Sequence, residues 1–518
     1  MDIVSESFAA GQRVLERRSS AARKLHGQFL TPPLVARFLA DQLGALPESF
    51  SILDPAAGSG TLLCAVIERL INENVQARVR IEAFEIDPAL YEVTVSTLER
   101  ARLGAAKRGI DLDVHVHCGD YVLAEAERRQ PTLFTSPDDT PLCYDRIIAN
   151  PPYFKLNSDD PRVTATRPLV GAHTNIYTLF MALAVDSLAP SGKSAFLVPR
   201  SFCSGAYFAH FREELARRTT IDLLHLFESR GDNFDEVLQE NVIIAFSQRD
   251  PDLPQAAHIA ISSSQNGTDS ASAEAQPVAT SLVLHRRDRA LFYRLPTDPD
   301  DELILRAFDA WTGSLQRYGM EVSTGRVVAF RAENHLEQFA DENTVPLLWM
   351  QHVRSGAVRH PLPDLRKPQW IRRTPDSAVL LVPASNYVLL RRFSAKEEAR
   401  RLVAGAFLRA DQSSEMVGFE NHLNVIHRRQ GALSDDEAHG LAALYNSAPF
   451  DRYFRITNGN TQVNAAELRA MPLPPLDVIR AIGAVYQANP LVPVDHLVLE
   501  HLTADDLLPA DLLLIEKN

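Results

Sequence analysis

Between Ser51 and Phe246, short apolar runs alternate with longer stretches whose apolar positions recur every three or four residues. The runs "FSILDPAAG", "VRIEAFEID", "DVHVHCGD", "YDRIIAN", "SAFLVP" and "ENVIIAFSQ" have the length and β-branched content of buried strands. The stretches "TLLCAVIERLINEN", "PALYEVTVSTLERARLGAAKRG" and "NIYTLFMALAVDSL" carry the helical period, the last expected to close at "APSGK". Strands alternating with helices of this length predict an α/β fold with a doubly wound parallel sheet, since parallel neighbours need a crossover between them.

The alternation stops after Arg249, where Ser, Ala, Gln and Pro accumulate. The expected organisation is a domain over 1–250 with an N-terminal helical segment, a linker or surface excursion over 251–300, and a second domain of mixed helices and short strands over 301–518. An acidic, leucine-rich tail ends the chain.

With 518 residues, 45% of them hydrophobic, the chain can bury two or three cores. No run reaches the ~18 apolar residues that span a bilayer. The start, "MDIVSESFAAGQRVLERRSSAARKL", alternates charge with small residues and does not read as a signal-peptide core, so a cytoplasmic protein without membrane attachment is expected. Four cysteines with no CxxC pair point away from a disulfide framework or a structural zinc site, and no metal is expected. The net charge of -13 argues against a generic polyanion binder, but residues 351–430 hold 14 Lys and Arg against 7 Asp and Glu, a candidate polyanion face.

Chemistry concentrates at the ends of the predicted strands. "ILDPAAGSGTLL" ends a strand at Asp54 and turns at Gly58 and Gly60, letting backbone pass close to a ligand at the carboxyl edge of a sheet. It lacks the full GxGxxG of a dehydrogenase. Glu85, ending "EAFE", can accept from two ribose hydroxyls, and Asp120 in "CGDYV" from an exocyclic amine, with Tyr121 or Val122 against a ring. Glu85 and Asp120 can equally be helix N-caps. Three consecutive strand ends carrying Asp/Gly, an acid and Gly-Asp resemble the S-adenosylmethionine site of class I methyltransferases.

The fourth strand ends in Asn150-Pro151-Pro152-Tyr153. An asparagine amide and stiff prolines, which keep their carbonyls but lack N–H groups, offer acceptors to an –NH2 group. Two acceptors, Asn150 Oδ1 and the Pro151 carbonyl, can draw an aryl amine toward tetrahedral geometry for attack on an electrophilic methyl, with Tyr153 stacking on a planar substrate.

"GQFLTPPLVARFLA", "LDPAAGSGTLL", "FEIDP", "GDYV" and "ANPPYF", in this order, resemble the motif series of the gamma-class DNA adenine methyltransferases. The resemblance implies that Thr31 and Pro32 contact the methionine part of S-adenosylmethionine, and that Asp54, Pro55, Ala56 and Gly58 line its pocket. Glu85 would hold the ribose with Ile86 beside it, and Asp120 and Tyr121 the adenine. Asn150, Pro151, Pro152 and Tyr153 would receive the target adenine, with Phe234 sandwiching it. Extrusion of that base is required, because an amine inside a duplex cannot reach a buried methyl donor.

The second half resembles a target-recognition domain of the same class more loosely. Arg326, Asn421, Asn424, Arg455, Asn460 and Gln462 are the side chains chosen there for double-stranded DNA. Protein-glutamine and RNA amine methyltransferases share the NPPY site, but the TPP element before the cofactor motifs and the long second domain favour DNA. With 26 residues before Gly27, no nuclease domain is expected in front, and "PDLRK" reads as phosphate-facing or incidental. Host-DNA protection in a restriction-modification or related defence system beside a separately encoded endonuclease, or solitary epigenetic marking, is expected. The run "NIYTLFMALAVDSLAPSGKSAFLVPRSFCSGAYF" resembles methylases of six-base palindromes such as CTGCAG.

Overall fold

The computed structural model describes residues 2–19, 29–129, 143–171, 173–227, 241–265, 267, 269–287, 290–394, 398–458 and 462–512. It forms two compact units, Met1–Thr297 and Asp298–Asn518.

In the first unit the strands are β1 (Ser49–Asp54), β2 (Arg78–Glu85), β3 (Asp111–Cys118), β4 (Tyr144–Ala149), β5 (Leu188–Pro199), β6 (Thr219–Phe227), β7 (Asn241–Gln248), β8 (His258–Ser264) and β9 (Gln276–Ala279). They make one sheet in the order β3-β2-β1-β4-β5-β7-β6-β8-β9. β1 to β5 run parallel, whereas β7 is antiparallel to both β5 and β6, so the sheet is mixed at one end. Strand order reverses between β1 and β4, which opens a crevice at their carboxyl ends, the usual ligand position in such sheets. Helices α1 (Ile3–Leu15), α2 (Pro33–Asp41), α3 (Thr61–Asn72) and α4 (Pro88–Ala106) contribute to the unit, and Val4, Val35, Leu63, Val66, Leu98, Ile52 and Ile81 belong to one buried core. α5 (Tyr121–Arg128), α6 (Pro161–Val170), α7 (Ile176–Asp186) and α8 (Ala209–Arg218) complete the helices that concern the site.

Two expectations change here. "APSGK" does not close a helix; it belongs to β5, whose register against β4 jumps from Tyr144↔Leu188 to Arg146↔Lys193, so the extra residues bulge. The stretch 251–300, expected as a linker or surface excursion with "AAHIAISSS" equally readable as an edge hairpin, supplies β8 and β9, an antiparallel pair at the edge of the first sheet. Ile259 and Ile261 of β8 are buried, while Ser262 and Ser264 hydrogen-bond the two ring nitrogens of buried His225 at 2.8 and 3.0 Å.

The second unit has a six-stranded sheet in the order Met320–Thr324, Leu423–Arg428, Tyr387–Arg391, Ala404–Phe407, Gly356–Val358, Val353–Arg354. Its five-stranded sheet runs Leu336–Glu337, Trp370–Arg372, Thr344–Leu348, Met416–Phe419, Leu381–Pro383. The acidic tail is an integral part: helix Leu476–Ala488 meets helix Asp435–Asn446 where a Cβ on Gly440 would lie 1.9 Å from the Ile479 carbonyl oxygen and one on Gly483 1.8 Å from that of Asp436. Only glycine permits that approach. Among the described residues no helix is long and apolar enough to cross a membrane.

Candidate active site

A cavity of about 650 Å³ opens at the tips of β1, β2, β3 and β4, within the roughly 300–1,000 Å³ of small-molecule sites. Of the residues chosen from sequence, Pro55, Ala56, Gly58, Glu85, Ile86, Asp120, Tyr121, Asn150 and Pro152 line it. Each sits where a buried strand ends and its next residues leave the sheet, so position in the fold sets exposure.

Gly58 and Gly60 have φ of +61° and +82°, the left-handed turn that brings the chain from β1 into α3. A Cβ on Gly58 would lie 3.0 Å from Leu30 Cδ2, which tightens the passage. The turn is buttressed from outside: Ser7 Oγ of α1 donates to the Ser59 carbonyl at 2.8 Å, and Thr94 Oγ1 of α4 donates to that of Gly58 at 2.7 Å.

Asp54 departs from its expected role. It is fully buried and is not among the lining residues; Oδ1 accepts the Ala56 N–H at 3.1 Å, and Oδ2 has no partner among the described residues. It shapes the turn from beneath. Burial pushes its carboxyl up to about 8. Glu85 accepts the N–H groups of Gly58 (Oε2) and Asp87 (Oε1), both at 2.8 Å, which aims the carboxylate into the crevice, and burial pushes it up to about 7. The N-cap of α4 is Asp87, whereas Asp120 does cap α5, accepting from Leu123 N–H at 3.1 Å, with Arg162 Nη1 3.5 Å from its other oxygen.

At the tip of β4, Asn150 Nδ2 donates to the Phe29 carbonyl and to Thr31 Oγ1, both at 3.0 Å. Tyr153 differs from expectation in detail. Its hydroxyl reaches Asn150 Oδ1 at 2.5 Å and the Leu197 carbonyl at 2.8 Å, and its ring meets Tyr177 edge-on at 6.4 Å. Burial holds the phenol well above its ordinary range, so it stays a donor and is no general base. Pro151 is buried, Pro32 precedes α2 as its N-cap residue, and Thr31 lies in a small recess behind the cavity. Phe234 and Asn460 lie outside the described residues.

Residues the sequence reading missed also line the cavity: Arg18, Phe84, Phe154, Arg162 and Phe180. Phe84 and Phe154 sit beside motif residues and had a positional signal. Arg18, which donates to Asp87 Oδ1 at 3.0 Å, had none.

The residues fit S-adenosylmethionine. Phe84, Ile86, Pro152 and Phe180 offer apolar faces to a purine, Glu85 and Asp120 offer acceptors for hydroxyl and amine donors, and the Glu85 carboxyl, which has no ion pair among the described residues, suits a cationic ligand.

In the second unit, Arg326 is exposed on the wall of another cleft, about 330 Å³, with Ser323, Thr324, Tyr387 and His427. Asn424 does not join it: it is fully buried and donates to the Val463 carbonyl at 2.7 Å, a structural bond. Arg455 is held by Asp451 at 2.7 Å and the Glu398 carbonyl at 2.9 Å. Asn421 and Gln462 are half-buried, Asn421 accepting from Arg392 through its carbonyl. The basic window is not one face, either. Arg372, Arg400, Arg428 and Arg429 are ion-paired, Arg401 is buried and Lys367 of "PDLRK" lies 4.4 Å over the Trp349 ring, while Arg354, Arg359, Arg366 and Arg373 are exposed.

Residues 10–226 match the family model for N-6 DNA methylases. The type II methyltransferase M.BsuBI of Bacillus subtilis is 35% identical over 467 residues, covering 88% of this chain and 89% of the relative. M.PstI of Providencia stuartii is 30% identical over 460 residues, covering 88% of each. The Type IIL restriction-modification enzyme MmeI, solved in complex with DNA, has a TM-score of 0.50 at 12% identity, covering 98% of this chain and 72% of its own, a likeness of fold.

Proposed function

The chain belongs to the N-6 DNA methylase family, among the type II methyltransferases of restriction-modification systems, and on that premise we propose that it methylates an adenine extruded from one specific duplex sequence into the crevice between β1 and β4. The established part is the reaction: an S-adenosylmethionine-dependent transfer to adenine N6 in DNA. What is proposed is which residues carry it.

When bound, the cofactor supplies an electrophilic methyl on a sulfonium. Glu85 and Asp120 bind its ribose and adenine, Pro55, Ala56, Gly58 and Ile86 wall it, and Tyr121 stands behind its ring. Asn150 Oδ1 and the Pro151 carbonyl accept the two N6 hydrogens, which localises the nitrogen lone pair and points it at the methyl. No strong base is needed, because the methylated nitrogen is acidic and releases its proton to solvent. Pro152 and Tyr153 bound the base, and Phe234 is retained as its second stacking partner. The observation that carries this reading is the Asn150 carboxamide, fixed by two acceptors on the wall of the cavity.

In the second unit Arg326 is proposed to contact DNA from its cleft, with Asn421, Gln462 and Asn460 as further candidates. We further propose a cytoplasmic protein that protects host DNA beside a separately encoded endonuclease, with a CTGCAG-like target. Expression in a methylation-free host followed by sequencing for modified bases tests this: N6-methyladenine within one short motif is expected, and unmodified adenine beside well-folded protein would refute it.

A further inference from the structure

The Asn150 carboxamide has a defined orientation. A main-chain carbonyl only accepts, so the group facing Phe29 at 3.0 Å must be Nδ2 and not Oδ1. The second acceptor is Thr31 Oγ1, also at 3.0 Å. On the other side the Tyr153 hydroxyl, whose single proton is shared between Oδ1 at 2.5 Å and the Leu197 carbonyl at 2.8 Å, occupies at most one of the two lone pairs of Oδ1, so one remains for a substrate N–H. Thr31 itself is 4% exposed and lines a recess of about 20 Å³ with Phe29, Ala56, Gly58 and Asn150, and is not among the residues lining the large cavity.

We propose that Thr31 is a positioning residue for methyl transfer: its Oγ1, with the Phe29 carbonyl, locks the Asn150 carboxamide so that Oδ1 is presented to the target amine. The resemblance implied a cofactor contact for Thr31; the geometry commits its oxygen to Asn150. Without Oγ1, one buried N–H loses its acceptor and the carboxamide has less reason to hold its orientation. A flipped carboxamide would set –NH2 against the incoming –NH2, donor against donor. The proposal rests on the reading of Asn150 as the acceptor of the amine.

Single-turnover methylation of duplex DNA at saturating S-adenosylmethionine, with a separate titration of cofactor affinity, tests it on the full chain. Thr31→Val should slow transfer roughly tenfold to a hundredfold, the scale expected when a reacting group is misplaced, while cofactor Kd stays within about twofold. Thr31→Ser keeps Oγ1 and should restore the rate. If Thr31→Val fails to fold, Thr31→Ala removes the same oxygen and carries the same expectation. An unchanged rate, an effect confined to cofactor Kd, or equal losses in the oxygen-less and serine variants would each overturn the lock. Asn150→Ala run in parallel separates the two claims: if it still transfers methyl, the Asn150 reading fails; if it is inactive while Thr31→Val is fully active, only the lock fails.

Discussion

The cavity at the tips of β1 to β4 and the cleft around Arg326 are both hollows lined by polar side chains, yet they hold charge in opposite ways. On the cavity wall Glu85 takes two backbone N–H groups and, among the described residues, no ion pair, and Asp54 buried behind the wall takes one, whereas Asp87 and Asp120 face Arg18 and Arg162; burial opposes ionisation of Glu85 and Asp54. In the cleft some polar groups are already partnered: Ser323 bonds His427 at 2.8 Å and Arg428 pairs with Glu437 outside it. Arg326 has no hydrogen bond or ion pair among the described residues and stands in solvent. On the proposed reading the first hollow takes a cation with hydroxyl and amine donors, the second an anion such as phosphate. A net charge of -13 conceals both, because ligand sign is set by which local charges lack partners.

Removing the acid should give the largest effect. Glu85→Ala is expected to raise cofactor Kd by roughly a hundredfold in calorimetric titration, since two charge-assisted hydrogen bonds are lost. An unchanged Kd would break the cation side of the contrast.

A smaller effect comes with pH. Glu85 is held up to about 7 and Asp54 up to about 8, so the folded chain keeps protons that the unfolded chain releases near its ordinary carboxylate values. Stability without cofactor should therefore fall as pH rises from about 4 through 8. A cationic ligand favours the ionised acids, so cofactor affinity should rise over the upper part of that window, by at most about tenfold per pH unit for each coupled proton. Affinity that falls with pH would reverse the assignment.

Within the second unit, buried Asn424 and exposed Arg326 should separate cleanly. Asn424→Ala is expected to cost about 1–3 kcal/mol in denaturant unfolding without altering sequence preference. Arg326→Ala should leave stability unchanged, weaken DNA binding a few-fold and reduce the salt dependence of binding by about one phosphate contact. A change in stability with Arg326→Ala, or in target preference with Asn424→Ala, would merge the two roles.

These contrasts also explain what was legible in the chain. In a parallel sheet a buried run ends in a tip at the crevice, so Glu85, Asp120 and Asn150 could be placed from local pattern alone. The partners that orient Asn150 lie 121 and 119 residues away, and nothing local announces them. Around "HIAISSS" the Ser, Ala, Gln and Pro content left a linker and an edge hairpin equally open, and only the structure shows two of its serines satisfying a buried histidine. The β5 bulge is set by pairing with β4, not by its own residues. In the second unit residue type misled: Asn424 lies in a strand whose first four residues are all buried, so alternation gave no exposed face, and Arg455 was already held within the unit.

The most direct test follows methyl-labelled S-adenosylmethionine into duplex DNA with nucleoside analysis of the product, for the wild type and Asn150→Ala at matched cofactor occupancy. The account predicts label on adenine N6 for the wild type, and for Asn150→Ala a loss of at least about a hundredfold in rate with cofactor affinity preserved. Label on cytosine, or an Asn150→Ala protein that transfers methyl at the wild-type rate, would contradict it.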